Sequence, residues 1–233
     1  MNNHVASGDS SSLPPKTLRE LGPERTHLFV PMHRGAALRS QQEGLLLSTR
    51  ELLSHSDHVP LGDPRLVRSR LAARRPEPWP GRLGDYVSFT FTPRTPAALG
   101  SCGAKTAPGA KRLRPGDLVV ASIPLDRLVS SGIPIGFSDR NPVVRNAEIE
   151  RKPNTDLVPW SLIRTSRFGG PDIDPADKAR YNCEVLAWGC VPLELGVTFA
   201  VVDEHTAHEV FLSNTPGRGA ALPLVRPAYF FGL

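Results

Sequence analysis

The chain has 233 residues, 39% of them hydrophobic and 22% charged, with 24 prolines and 20 glycines. That is enough for one sizeable core and argues against wholesale disorder, and no apolar run approaches the roughly 20 residues a membrane span needs. The net charge of +5 favours an anionic partner, and three cysteines without a C-x-x-C (Cys102, Cys183, Cys190) suggest neither a disulfide framework nor a zinc site and fit a reducing cytoplasm.

Residues 1–20 lack the charged and apolar regions of a secretory signal and read as a flexible tail, leaving 21–233 as one domain. THLFVPM (26–32) reads as a strand. RGAALRSQQEGLL (34–46) reads as a helix with Gly44 as its C-cap. Residues 47–83 look like a long excursion with His55, His58, Arg65, Arg68, Arg70, Arg74, Arg75 and Arg82, and loops of that length are usually functional. In YVSFTFTPRTP (86–96) Val87, Phe89 and Phe91 alternate with Tyr86, Ser88, Thr90 and Thr92, the period of a half-buried strand. At period two Arg94 joins the face of Ser88 and Thr90, between Pro93 and Pro96. Read alone it is a solvated turn residue.

A Gly/Ala/Lys-rich loop spans 100–116. DLVVASIPL (117–125) reads as a buried strand, DRLVSSG (126–132) as a short helix and IPIGFS (133–138) as a strand. Residues 142–180 are polar and irregular, with a short helix at VPWSLIR (158–164). YNCEVLAWGCVPL (181–193) is a strand or strand pair, LGVTFAVVD (195–203) a strand, EHTAHEVFLS (204–213) a short helix, and ALPLVRPAYFF (221–231) a terminal strand. Strands and helices mix without regular βαβ alternation, which gives an α+β class.

Glu184 lies among Cys183, Val185, Leu186 and Ala187, so a strand there buries a carboxylate that must be paired, hydrogen-bonded or facing a pocket. A structural salt bridge, with Arg180 or another arginine, satisfies it equally. His27 heads the first strand, and a backbone-bonded core histidine is the plain reading. HSDH and HTAH pair His55 with His58 and His205 with His208, but no third ligand stands at useful spacing, so no metal is expected. The arginines of 65–82, with Trp79 and Tyr86 as base-stacking groups, suit phosphate and single-strand contacts or a plain cationic surface. There is no G-x-G-x-x-G after a strand, no P-loop and no G-x-S-x-G.

Taken in order, these segments resemble the DarT family of DNA ADP-ribosyltransferases. YVSFTFTPRTP is close to that family's Y-V-P-F-Y-F-[TC]-P-R-[ST]-P. IPIGFSDRN, DLVPWSLIR, KARYNCEVLAWGCVPLE and LVRPAYFF resemble its later motifs, and THLF with the helix to EGLL its opening. The resemblance runs from about residue 25 to 231. It departs at Pro31-Met32-His33, Arg140, Pro142, Tyr181, Asn182 and Cys183.

The resemblance implies an ADP-ribosyltransferase fold, a split and largely antiparallel β-core with short flanking helices. The implied activity is transfer of ADP-ribose from NAD to a base in single-stranded DNA, thymine first and guanine second, without a metal. It implies a cytoplasmic toxin restrained by a DarG-like macrodomain antitoxin, with no membrane. Glu184 and Arg94 match the catalytic positions, with Arg94 expected to face Glu184. His27, Phe29, Gly44, Leu45 and Arg94 are implied at NAD. Arg74, Arg75, Tyr86, Lys178 and Arg180 are implied at DNA, with 47–83 as the basic substrate loop. Two alternatives stay open: the same chemistry on a protein or small molecule, and a non-catalytic single-stranded DNA-binding module on this fold.

Overall fold

The structure, a computed structural model, describes residues 13–55, 58–74, 80–102, 108–168, 172–212 and 223–231. In chain order the elements are β1 (His27–His33), α1 (Arg34–Glu43), β2 (Leu45–Leu46), α2 (Thr49–Leu53), α3 (Pro64–Ala72), β3 (Tyr86–Thr90), α4 (Pro96–Cys102), β4 (Leu118–Pro124) and α5 (Leu125–Ser130). They continue with β5 (Ile135–Ser138), β6 (Ile149–Glu150), α6 (Trp160–Thr165), α7 (Pro175–Arg180), β7 (Glu184–Trp188), β8 (Val191–Pro192), β9 (Thr198–Val201), α8 (Glu204–Ala207) and β10 (Leu224–Val225).

Eight strands form one sheet in the order β10-β9-β4-β1-β3-β7-β5-β6, antiparallel except for the β9–β10 pair, while β2 and β8 pair apart from it. Two interior strands anchor it. β4 is buried at all seven positions, and β7 at all but its last residue. Their nearly unbroken apolar runs suit strands covered on both faces.

The sheet is split in the middle. β1 pairs with β4 along its whole length, His27 to His33, but meets β3 only at Phe29↔Thr90. There the Thr90 hydroxyl donates to the Phe29 carbonyl at 3.0 Å. Past Phe29 the two strands diverge. Pro31, which can donate no ladder bond, sits in the stretch of β1 that has lost its β3 neighbour. β3 is held instead by β7, in register from Tyr86↔Trp188 to Thr90↔Glu184.

α1 is capped at both ends. The His33 ring accepts from the Gly35 N–H, and Gly44, left-handed at φ 71°, closes the helix as expected. Other segments differ from the reading. Pro14 and Pro15 are buried and Leu21 is core, so the chain is packed from Pro14 on, inside the segment read as a tail. The excursion at 47–83 carries α2 and α3. The latter starts with Asp63 accepting from the Arg65 N–H and proline at its first position. α4 runs into the stretch read as a loop, and the terminal strand shrinks to two residues before a 3₁₀ turn over Pro227–Tyr229 that buries Tyr229. Among the described residues no helix is long and apolar enough to cross a membrane.

Candidate active site

The cleft where β1 and β3 part is a cavity of about 480 Å³, within the range of small-molecule sites. β1 contributes Val30 to His33, β3 contributes Val87, Ser88 and Thr90, and α3 closes one side with Leu66, Val67 and Arg70. Glu184 lies on its wall.

Glu184 opens β7 at the split itself, beside Thr90 of β3 and Ser138 of β5, and is 7% exposed. Arg70 satisfies it: Nη2 donates to both carboxylate oxygens, at 2.8 and 2.9 Å. The Arg70 Nη1 donates to the Ser88 hydroxyl. A buried carboxylate without such a partner would be costly. Arg70 belongs to a helical stripe, four residues after Leu66 and three after Val67. An arginine within an apolar stripe, four residues after a leucine and three after a valine, is the sequence signal that marks it, and reading it as one of six loop arginines conceals that.

Arg94 does not face Glu184. β3 ends at Thr90, whose hydroxyl also donates to the Thr92 carbonyl, and the Thr92 hydroxyl accepts from the Arg94 N–H. This turn breaks the period-two continuation, which needs an extended chain. The Arg94 guanidinium stacks over Phe231, 4.4 Å from the ring centroid, and its buried Nε has no hydrogen-bond partner among the described residues. Its carbonyl accepts from the Tyr181 hydroxyl at 2.9 Å. Tyr181 lines the cavity, as do Thr95 and Pro96, so Arg94 stands behind the wall.

The expected NAD contacts are redistributed. His27 is buried opposite Pro124 and is not on the cavity, which takes His33 from the far end of the same strand. Phe29 is fully buried, edge-on to Tyr229, and is core. Leu45 pairs with Pro192, and the Gly44 carbonyl accepts from the Leu193 N–H, so both tie α1 to β8 while Leu47 reaches the cavity.

The expected DNA contacts divide likewise. Tyr86 is buried against Trp188 and its hydroxyl donates to the Pro80 carbonyl, so it offers no face to a base. Arg180 donates from Nε and Nη2 to the Leu157 carbonyl and from Nη2 to that of Asp156, clamping the approach to α6. Arg74 and Lys178 are exposed, as are Arg65 and Arg68 on α3. Arg75 and Trp79 lie outside the described residues.

Burial pushes the Cys183 thiol up to about 12, with the neighbouring Glu184 charge adding to it, and burial likewise pushes the Tyr181 hydroxyl up to about 12. Neither is a nucleophile at neutral pH. Among the described residues no three His, Cys, Asp or Glu side chains gather to hold a metal. The chemistry on offer is therefore a desolvated carboxylate in a cleft, held by one guanidinium.

Comparison with known proteins places this geometry. The family described as DarT: ssDNA thymidine ADP-ribosyltransferase matches residues 41–231. A DNA ADP-ribosyl transferase of Escherichia coli O127:H6 (strain E2348/69 / EPEC) is 25% identical over 176 residues, 75% of this chain and 79% of that protein. In fold the chain is similar to Thermus sp. 2.9 DarT in complex with ADP-ribosylated ssDNA, at TM-score 0.71 and 20% identity over 90% of this chain and 98% of that one. The same protein in complex with carba-NAD+ gives 0.70 at 22% identity, over 90% and 100% of the two chains. Thermosipho africanus DarTG in complex with ADP-ribose gives 0.67 at 19% identity, covering 88% of this chain and 51% of that chain.

Proposed function

The chain belongs to the DarT family of single-stranded DNA thymidine ADP-ribosyltransferases, and from that premise we propose that it transfers ADP-ribose from NAD to thymine in single-stranded DNA through Glu184. The observation that carries the assignment is the buried carboxylate at the point where the sheet splits, on the wall of a cleft of small-molecule size.

As nicotinamide leaves, positive charge develops on the ribose. Glu184 is fixed by β7 between two strands and sits out of water, where its field is strongest. Its oxygens also suit a ribose hydroxyl. Thymine has one ring nitrogen not already bonded to deoxyribose, the imide N–H. That nitrogen takes the ribose carbon and gives its proton to solvent. A stacked or paired base cannot enter the cleft, which accounts for single strands as the substrate. His33 and Tyr181 are the wall residues we assign to NAD, in place of His27 and Phe29. Arg94 acts by holding Tyr181 and packing on Phe231.

We assign the strand to the exposed cations of α3, Arg65 and Arg68, with Arg74 and Lys178. Residues 21–233 form one ADP-ribosyltransferase domain in this reading, with the packed Pro14–Leu21 segment belonging to it. The DarTG neighbour supports a macrodomain partner of the DarG kind and a role as a toxin. The three free thiols suit the cytoplasm.

The test is incubation with NAD and homopolymeric oligonucleotides, read by mass spectrometry. The expected result is one ADP-ribose added to oligo-dT and none to oligo-dA. Nicotinamide release with no oligonucleotide adduct would move the acceptor to a protein or small molecule. DNA binding with no NAD turnover would make the chain a binding module.

A further inference from the structure

α3 turns two faces and an edge to its surroundings. At about 100° per residue, Val67 and Arg70 point together into the cleft, Arg65 and Arg68 point together to solvent, and Leu66 falls on the edge between them. Leu66 lines the cavity and is nevertheless 51% exposed. Of the large exposed apolar side chains among the described residues (Leu13, Leu66, Leu99, Val129 and Val144), it is the one on the cavity wall. A single exposed leucine on an open surface needs no partner. One on the rim of a substrate cleft differs, because what enters must pass over it. The rim is fixed. At the end of α3 the carbonyls of Leu71, Ala72 and Ala73 accept from Arg50 Nη2 at 3.2 Å, Arg82 Nη1 at 2.9 Å and the Leu83 N–H at 3.0 Å.

We propose that Leu66 is a specificity-determining residue that reads the 5-methyl group of thymine as the base enters the cleft. This rests on the reading of the acceptor as thymine in single-stranded DNA given above. Thymine and uracil offer the same imide N–H between the same two carbonyls, so the nucleophilic edge does not tell them apart. The methyl group does, and an apolar side chain is what recognises it. A strand held by Arg65 and Arg68 lies along the outer face of α3. A base leaving that strand for Glu184 crosses the edge of the helix where Leu66 stands, and contact there takes apolar surface of both partners out of water. The contact needs no movement of α3.

The test gives the full chain saturating NAD with oligo-dT or oligo-dU of equal length, and reads kcat/KM for each oligonucleotide from adducts counted by mass spectrometry. Wild type should prefer oligo-dT by about fourfold, the worth of one buried methyl group. Leu66→Ala puts a good helix former at an exposed position and so keeps α3. It should bring the ratio near to one by lowering transfer to oligo-dT more than transfer to oligo-dU. Leu66→Met, apolar and of similar volume, should restore most of the preference. A wild-type ratio near one overturns the inference. So does a preference that Leu66→Ala leaves intact, since the methyl group is then read elsewhere or acts only on the reactivity of the base. An equal loss on both oligonucleotides overturns it too, by making Leu66 a structural part of the wall. Failure of the wild type to modify either oligonucleotide overturns the acceptor reading itself, and the inference with it.

Discussion

Arg70 and Glu184, 114 residues apart in sequence, meet across the cleft with one guanidinium nitrogen 2.8 and 2.9 Å from the two carboxylate oxygens. The expected partner, Arg94, is turned onto Phe231 instead. That exchange of arginines makes α3 part of the chemistry, and predictions follow from how α3 and the cleft walls are held.

Gly84 sits under α3. A Cβ there would lie 2.7 Å from Leu71 Cδ2 and 3.2 Å from Leu71 Cα, so even alanine crowds backbone and a larger residue must push the helix. Gly84→Val should cost about 1–3 kcal/mol by overpacking and, by displacing Arg70 from Glu184, lower nicotinamide release. Urea unfolding and nicotinamide release measure the two effects. A destabilised protein with unchanged nicotinamide release would separate α3 from the positioning of Glu184.

Tyr86 and Arg180 should behave as structure. Tyr86→Ala removes a fully buried ring packed on Trp188 and should cost about 3–5 kcal/mol, whereas Tyr86→Phe, losing only the bond to Pro80, should cost about 1 kcal/mol and keep oligonucleotide affinity. Binding of labelled oligo-dT to the phenylalanine variant decides it. A large loss of affinity in a protein of near-normal stability would return Tyr86 to the DNA surface.

Salt dependence should sort the arginines. Arg68→Ala is expected to lower the slope of log K against log salt for single-stranded DNA by about 0.7 per lost contact. Arg180→Ala, which releases the carbonyls of Asp156 and Leu157, should leave the slope alone and destabilise by about 1–3 kcal/mol. Affinities over a range of chloride concentrations test both.

Alkaline stability follows from buried acids. Cys183 and Tyr181 are pushed up to about 12 from ordinary values of 9.0 and 10.0, and Tyr229 is raised as well, each chiefly by burial. The unfolded chain gives up these protons first. The stability they support is therefore intact below pH 9 and declines from there toward about pH 12, by up to about 1.4 kcal/mol per pH unit for each group in its window. Unfolding midpoints at pH 8, 10 and 11 should fall in order, and Cys183→Ala should flatten the first part of the decline.

Much of the sheet is legible in the sequence because its interior strands carry unbroken apolar runs and β3 a clean alternation. Val119–Ile123 and Val185–Ala187 need no tertiary information. Glu184 stands out for the same reason, a carboxylate where the run allows none. The register that splits β1 from β3 is not legible, because it depends on one bond between Thr90 and Phe29. Nor is the direction of Arg94, which turns on two threonine hydroxyls that end the strand. His27 and Phe29 are misplaced because position along a strand says nothing about which stretch faces a cleft, and here the open stretch begins only beyond Phe29. Arg70 is legible once Asp63-Pro64 is read as a helix start and the stripe after it is followed.

The central claim is that Glu184 carries ADP-ribose transfer. The most direct measurement compares wild type and Glu184→Gln with NAD and oligo-dT, counting ADP-ribosylated strands by mass spectrometry while circular dichroism confirms the fold. The account predicts a loss of about 10²-fold or more, the scale of removing one electrostatic stabiliser from a transition state. Transfer by the glutamine protein within a few-fold of wild type would contradict it.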